Sequence, residues 1–269
     1  MIINGLPGNS VNSNDRGLMY GDGVFRTLLI RQGKPLHWQQ HYNKLKHDCD
    51  AVGIICPAMQ LLGSELAQLA QSQSDSVAKI VITRGPATRG YAPAPNPQIT
   101  RILSTSRLPE YPDSFATQGV SVHICKLRLG HQPRLAGIKH LNRLENVLAA
   151  AEWTDADIAE GMMLDQEGHV IECTRSNLFM VRDGKLFTPD LSRCGVAGLQ
   201  RERVMDYARQ QKIICKVTDI TLDDLLAADE IFIVNSVIGL WPVRDMLRFK
   251  CKSFPVSLQI HEWLNNGSN

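Results

Sequence analysis

The stretch Leu135-Ala136-Gly137-Ile138-Lys139-His140-Leu141-Asn142-Arg143-Leu144-Glu145-Asn146 sets one lysine in a short, largely uncharged approach to a helical pattern. After Lys139 the apolar residues Leu141, Leu144, Val147, Leu148 and Ala151 recur at helical spacing. That spacing predicts a helix, with Asn142 as a cap near its start. A lysine there lies close to the positive end of the helix dipole, which disfavours its charged form. A free lysine titrates at about 10.4, so an amine nucleophile needs such help. The natural chemistry of the amine is an imine with a carbonyl, and the commonest carbonyl cofactor of this kind is pyridoxal phosphate. A surface lysine beside a helix cap has the same spacing, so residues elsewhere must decide.

The chain has 269 residues, of which 43% are hydrophobic and 21% charged, a composition that suits one large domain or two modest ones. A formal net charge of +2 argues against nucleic acid or a membrane surface as the main partner. Cys49, Cys56, Cys125, Cys173, Cys194, Cys215 and Cys251 are scattered without a C-x-x-C pair. They read as reduced thiols of a cytoplasmic protein, not as a disulfide frame or a zinc site, and no metal is expected. Met1 to Gly8 lacks the basic and apolar segments of a signal peptide, and no apolar run is long enough to cross a bilayer.

Alternation and turn residues predict a strand over 24–31, turning at Gln32-Gly33-Lys34-Pro35. Trp38, His41, Leu45, Cys49 and Val52 share one helical face, and a second helix is predicted over 59–71. Strands at 77–83 and 99–104 flank a Gly-, Pro- and Ala-rich loop over 85–97, long enough to suggest function. Two prolines in Leu108-Pro109-Glu110-Tyr111-Pro112-Asp113 suit an inter-domain linker. Beyond it come a strand over 119–125, the lysine segment, and a β-meander through 162–164, 170–173, 177–181 and 186–187. A helix over 200–211, a strand near Ile213, a short acidic helix after Thr221, a buried strand over 230–234 and a C-terminal helix over 256–264 complete the pattern. Strands and helices mix without regular βαβ alternation, so the expected class is α+β with two domains.

A pyridoxal phosphate site needs an acidic partner for the pyridine nitrogen and a phosphate cradle at a helix start. Glu172 lies in an otherwise apolar strand, where a carboxylate is costly unless paired, although simple alternation toward solvent also explains it. Gly195-Val196-Ala197-Gly198-Leu199-Gln200-Arg201 offers glycines before a helix, and Asn235-Ser236 follows a buried strand as a further phosphate contact. Asn14 to Phe25 packs glycines and charges just before a strand, suiting either a pocket lining or a tight turn. A dinucleotide fingerprint fails there, and the H-E-x-x-H, P-loop and G-x-S-x-G motifs are absent.

Tyr20-Gly21-Asp22-Gly23-Val24-Phe25, Ile138-Lys139 with Leu141-Asn142, Ile171-Glu172-Cys173 with Ser176-Asn177-Leu178-Phe179, and Val196-Ala197-Gly198 form an ordered set. In order and approximate spacing that set resembles the fold-type IV pyridoxal phosphate enzymes. This family includes branched-chain and D-amino-acid aminotransferases and 4-amino-4-deoxychorismate lyases. Within it, the lysine segment is most similar to that of the lyases, as is Thr83-Arg84-Gly85 followed by Arg89-Gly90-Tyr91. The resemblance implies an α+β, D-amino-acid aminotransferase-like fold. A small domain would span 1–110, and a larger one over 111–269 would carry the lysine and most of the cofactor site. It implies pyridoxal 5′-phosphate on Lys139, Glu172 at the pyridine nitrogen, and the phosphate held at Gly198, Leu199 and Gln200 with Asn235 and Ser236.

It also implies a homodimer acting on 4-amino-4-deoxychorismate, releasing pyruvate and 4-aminobenzoate for folate biosynthesis. The two substrate carboxylates call for cations, and Arg89, with Tyr91 beside it, Arg107 and Arg128 are candidates, though structural salt bridges would account for each equally well. The family commonly carries a phosphate-binding arginine on its first helix. Here His41-Tyr42-Asn43-Lys44-Leu45 offers Lys44, which keeps the charge but loses the bidentate fork. An aminotransferase of the same fold, or a non-catalytic pyridoxal phosphate-binding protein, are the alternatives.

Overall fold

Residues 1–71 and 75–266 are described by a computed structural model of the chain. They divide into one unit of Met1–Pro109 with Ile138–Asn142, and a second of Glu110–Gly137 with the chain from Arg143 onward.

The first unit contains β1 (Ile2–Ile3), β2 (Leu6–Pro7), α1 (Arg16–Tyr20), β3 (Gly23–Arg31), β4 (Lys34–Pro35), α2 (Trp38–Ala51), α3 (Met59–Ala70), β5 (Ser76–Thr83) and β6 (Thr100–Ser106). Its sheet runs β2-β1-β6-β5-β3-β4, and every neighbouring pair is antiparallel. Val24, Leu28 and Ile30 of β3, with Ala78, Ile80 and Ile82 of β5, turn one face inward, as period-2 strands do. Leu45 and Cys49 of α2 and Leu62 and Leu66 of α3 cover that face, which accounts for their helical spacing.

The second unit contains α4 (Ser114–Gln118), β7 (Val120–Leu129), α5 (Leu144–Ala150), β8 (Ile158–Asp165), β9 (Val170–Cys173), β10 (Asn177–Arg182), β11 (Lys185–Pro189), α6 (Leu199–Gln210), β12 (Cys215–Thr218), α7 (Leu222–Leu226), β13 (Glu230–Asn235), β14 (Gly239–Met246), β15 (Phe249–Lys250) and α8 (Pro255–Asn266). Its sheet runs β12-β11-β10-β13-β14-β7-β8-β9, with β15 on β14. Both faces are buried. Leu178, Met180, Ile231 and Ile233 face a core shared with Leu225 of α7. Phe179, Val181, Phe232 and Val234 face the one capped by Val204 and Tyr207 of α6 and Ile260 and Leu264 of α8. Such two-sided burial explains why β10 and β13 read as continuous apolar runs. The buried Glu230 carboxylate docks α8 by accepting the backbone N–H groups of Val256 and Ser257, both at 2.9 Å. Among the described residues no helix is long and apolar enough to cross a membrane.

Four expectations need correction. Lys139 does not open a helix: α5 begins only at Leu144, with Arg143 at its N-cap and no side-chain cap. The residues around Lys139 are extended and pair with β3, so the lysine segment belongs to the first unit, not the larger second one. A helix dipole acts within about one turn, so it cannot be what tunes Lys139. The apolar stripe of α5 also turns outward: Leu144, Val147 and Leu148 are 69%, 62% and 53% exposed, while Ala149 is buried. Finally, the β-meander breaks after β9. Among the described residues strand β9 pairs only with β8, while β10 lies between β11 and β13. Strand β14, unanticipated because Pro242 interrupts its pattern, is accommodated because its register with β7 begins just past that proline, at Val243.

The Phe179 and Phe232 rings are cross-strand partners stacked at 5.1 Å, and both are fully buried. Phe232→Ala is expected to cost about 3–5 kcal/mol in urea unfolding; a loss below about 1 kcal/mol would contradict this packing.

Candidate active site

In the first unit, the chain around Lys139 lies against β3, with His140 in an isolated β-bridge to Val24. Phe25 N donates to the Lys139 carbonyl at 3.0 Å, and Leu141 N donates to the Gly23 carbonyl at 2.9 Å. Gly23 permits this approach because a Cβ there would lie 2.7 Å from both the Ile82 carbonyl oxygen and Leu141 Cδ1. The Lys139 backbone N–H donates to Asp48 Oδ2 at 3.2 Å, and its Nζ stands 4.5 Å from the centre of the Phe25 ring. Asn142, expected as a helix cap, instead donates its amide to the Gly21 carbonyl at 3.2 Å.

The glycine- and charge-rich segment before β3 shapes the long loop over 85–97. Asp15 caps α1 by accepting Gly17 N at 2.8 Å and takes the Thr83 hydroxyl at 3.0 Å. Arg16 donates to the Gly90 and Tyr91 carbonyls at 3.0 and 2.7 Å, fastening the loop tip. Asp22 Oδ2 receives Arg16 Nε at 2.7 Å and Arg84 Nε at 2.8 Å. Arg84 also donates to the Val52 and Gly53 carbonyls after α2. Burial works to raise the Asp22 carboxyl, but the hydrogen bonds and charges of Arg84 and Arg16 outweigh it and hold the group below the usual carboxylate value.

In the second unit, Glu172 on β9 is only 4% exposed, and its Oε2 accepts the Val196 N–H at 2.9 Å. The alternation that would have sent it to solvent fails because the whole of β9 is buried. Asn177, which begins β10, holds the next part of the loop. Its Nδ2 donates to the Val196 carbonyl at 2.7 Å and its Oδ1 accepts Gly198 N at 3.0 Å. Gly198 is the N-cap of α6, and a Cβ on it would stand 2.4 Å from Asn177 Oδ1. Leu199 and Gln200 open the helix, where backbone N–H groups have no intrahelical acceptor. Gln200 is held by Arg203, which donates to its Oε1 at 2.9 Å. Gly137, two residues before Lys139, exchanges backbone bonds with this loop through Gly195 and Ala197.

The remaining expected residues divide by what their side chains already do. Asn235 Oδ1 accepts the Val237 and Ile238 N–H groups at 2.8 and 2.9 Å, and Nδ2 donates to the Arg175 carbonyl. Its amide therefore shapes the turn that presents half-buried Ser236. Lys44 is half-buried on α2. Arg89 and Arg107 are exposed, and the exposed Tyr91 ring lies 5.3 Å from that of Tyr20. Arg128 folds back on its own strand, its Nη1 donating to the Cys125, Lys126 and Leu127 carbonyls. Asp165, Glu167 and His169 bring possible metal-ligating atoms within 4.8 Å of one another. There the buried Asp165 carboxylate already accepts the Glu167 and His169 N–H groups and faces the His131 and His169 rings, which describes a satisfied turn. Asn177, Asp48 and Arg26 went unnoticed as site residues. Their sequence signal is a polar or charged residue at a position whose neighbours on the same face are apolar.

Residues 23–246 match the family described as amino-transferase class IV. The chain belongs to this family. The cofactor of this class is pyridoxal 5′-phosphate. An aminodeoxychorismate lyase of Vibrio harveyi is 39% identical over 244 residues, 90% of this chain and 89% of that protein. A 4-amino-4-deoxychorismate lyase structure from Pseudomonas aeruginosa superposes with a TM-score of 0.94 at 41% identity, covering 98% of each chain. A putative branched-chain-amino-acid aminotransferase of Methanocaldococcus jannaschii is 28% identical over 86% of this chain and 81% of that one. The class IV chain has a donor set suited to its cofactor. The first unit holds an amine on a fixed backbone; the second holds a buried carboxylate and a glycine-capped helix start of the kind that admits an anion.

A carboxyl depressed in the folded chain adds stability that is complete above its unfolded value, about 3.9, and lost as pH falls through the folded value. Asp22→Asn should therefore cost about 1–3 kcal/mol at pH 7 in urea unfolding. The gap to the parent should close as pH is taken below about 4. Equal urea midpoints at pH 7 would show that the Arg16–Asp22–Arg84 cluster does not anchor the loop.

Proposed function

We propose that the chain catalyses elimination of pyruvate from 4-amino-4-deoxychorismate, yielding 4-aminobenzoate for folate biosynthesis. The observation that carries this reading is the likeness, at 41% identity over 98% of both chains, to a structure with that activity.

Lys139 would bear the cofactor on its Nζ, Glu172 would keep the pyridine nitrogen protonated, and the backbone N–H groups of Leu199 and Gln200, with Ser236, would hold the phosphate. Lys44 would add positive charge without the bidentate geometry of an arginine. Bound pyridoxal phosphate supplies an electron sink for the carbon that carries the substrate nitrogen. Lys139 Nζ would take the proton from that ring carbon. The neighbouring C–O ether bond would break, the ring would become aromatic, and the departing enolate would take that proton from Lys139 on its methylene carbon to become pyruvate. Arg89 and Arg107 are the guanidinium candidates for the substrate carboxylates, with Tyr91 beside the first. Arg128 is a weaker one, since its Nη1 is occupied by its own strand.

Purified holoenzyme given 4-amino-4-deoxychorismate should release pyruvate and 4-aminobenzoate in equal amounts. Lys139→Ala should lower turnover by about 10²–10⁴-fold or more and remove the cofactor's visible absorbance. Rapid glutamate formation from amino acids and 2-oxoglutarate, without 4-aminobenzoate, would instead identify an aminotransferase.

The same reading makes the protein a cytoplasmic homodimer. The outward stripe of Leu144, Val147 and Leu148 supports this, because contiguous apolar surface of this kind commonly marks an interface. Light scattering on the purified protein should give twice the chain mass of 30.0 kDa; a monomeric mass would rule the homodimer out.

A further inference from the structure

Val24, Arg26, Leu28 and Ile30 share the buried face of β3, and Arg26 is the only charged residue among them. It is 3% exposed, and its partner, Asp48 of α2, is 1% exposed. Arg26 Nη2 donates to Asp48 Oδ2 and, at 3.3 Å, to the Lys44 carbonyl on the same helix. A buried ion pair adds little to stability, because desolvating two charges offsets their attraction, and apolar residues of similar volume often serve as well. The pair therefore needs another explanation, and its third partner supplies one. The Asp48 oxygen that takes the guanidinium also accepts the backbone N–H of Lys139 at 3.2 Å. On the other side of the same Cα, the Lys139 carbonyl is bonded to Phe25 N at 3.0 Å. Both peptide groups flanking the Lys139 Cα are fixed, one by a strand and one by a carboxylate 91 residues earlier. A lysine side chain has many rotamers, so a fixed backbone is the first condition for delivering its amine to one place.

We propose that Asp48, held in place by Arg26, is a positioning residue for Lys139. It sets where the amine stands and does not itself touch substrate or cofactor. The inference rests on the reading of Lys139 as the cofactor-bearing amine. A displacement of about 1 Å at such a group can cost about 10²-fold in rate.

The test replaces both charges in the holoenzyme by apolar residues, R26M/D48L, because removing one alone strands the other in the core. The double variant should keep a thermal midpoint close to the parent's. Borohydride reduction with peptide mapping should still find the cofactor on Lys139. Amide exchange in the peptide covering residue 139 should rise by about 10-fold or more. kcat should fall by about 10²-fold while KM moves by less than about 3-fold, and the pH midpoint of the cofactor's visible band should shift. A folded double variant with parental exchange and kcat overturns the proposal.

If the double variant does not fold, Asp48→Asn and Asp48→Ala decide. Asn retains an oxygen acceptor and should preserve exchange protection and most of kcat, whereas Ala should lose both; equal impairment of the two overturns the proposal. Trapping of the cofactor away from Lys139 would defeat the functional reading instead, and amide exchange would still report separately whether Asp48 holds this backbone.

Discussion

The extension of β3 by the chain around Lys139 is the constraint on which the candidate chemistry depends. Main-chain N–H and C=O groups cannot be left unpaired inside a protein, so a segment that leaves one core must find partners at once. Here the partners are the carbonyl of Gly23, the N–H of Phe25 and the carboxylate of Asp48. The absence of a side chain at Gly23 makes room for this segment against β3 while β5 lies on its other side. Lys139 consequently lies on an irregular segment bridged to β3 and not at a helix terminus. Its Nζ stands beside the Phe25 ring.

The second unit repeats one device at several turns. A buried carboxylate or amide accepts backbone N–H groups where a strand hands over to a loop or helix. Glu172 does this for Val196, Asn177 for Gly198, and Glu230 for the start of α8. Each bond is individually modest, but an unmet buried donor would cost more than the bond contributes. The loop leading into α6 is thereby held from two strands, and the helix start it presents is fixed in place. A rigid cradle lets binding energy go into orientation instead of ordering the chain.

The local patterns that were legible are those governed by local physics. Strand β3, the helices α2, α3 and α6, the paired strands β5 and β6, and the acidic helix after Thr221, with its Thr221–Asp224 capping box, all follow from periodicity and cap chemistry. Leu141, Leu144, Val147 and Leu148 were misleading because apolar spacing reports that a face is apolar, not which way it turns. On α5 that face looks outward. Strand β14 was hidden by Pro242, whose fault is tolerated only because β7 takes up its register beyond it. The residues that fix Lys139 carried a weaker signal: Arg26 and Asp48 are charges on otherwise apolar faces, and nothing local says that they pair until β3 and α2 pack together.

By itself, the order of short motifs along the chain determined the family and marked out Lys139, Glu172 and the helix led by Gly198 as the proposed site, because each motif needs particular residue types at particular places. The tertiary structure alone decided which of these groups are buried, which N–H each carboxylate receives, and that the lysine segment lies against β3. Those outcomes depend on contacts between residues far apart in the chain, such as Asp48 with Lys139 and Glu172 with Val196. Periodicity within a short window carries no information about such partners.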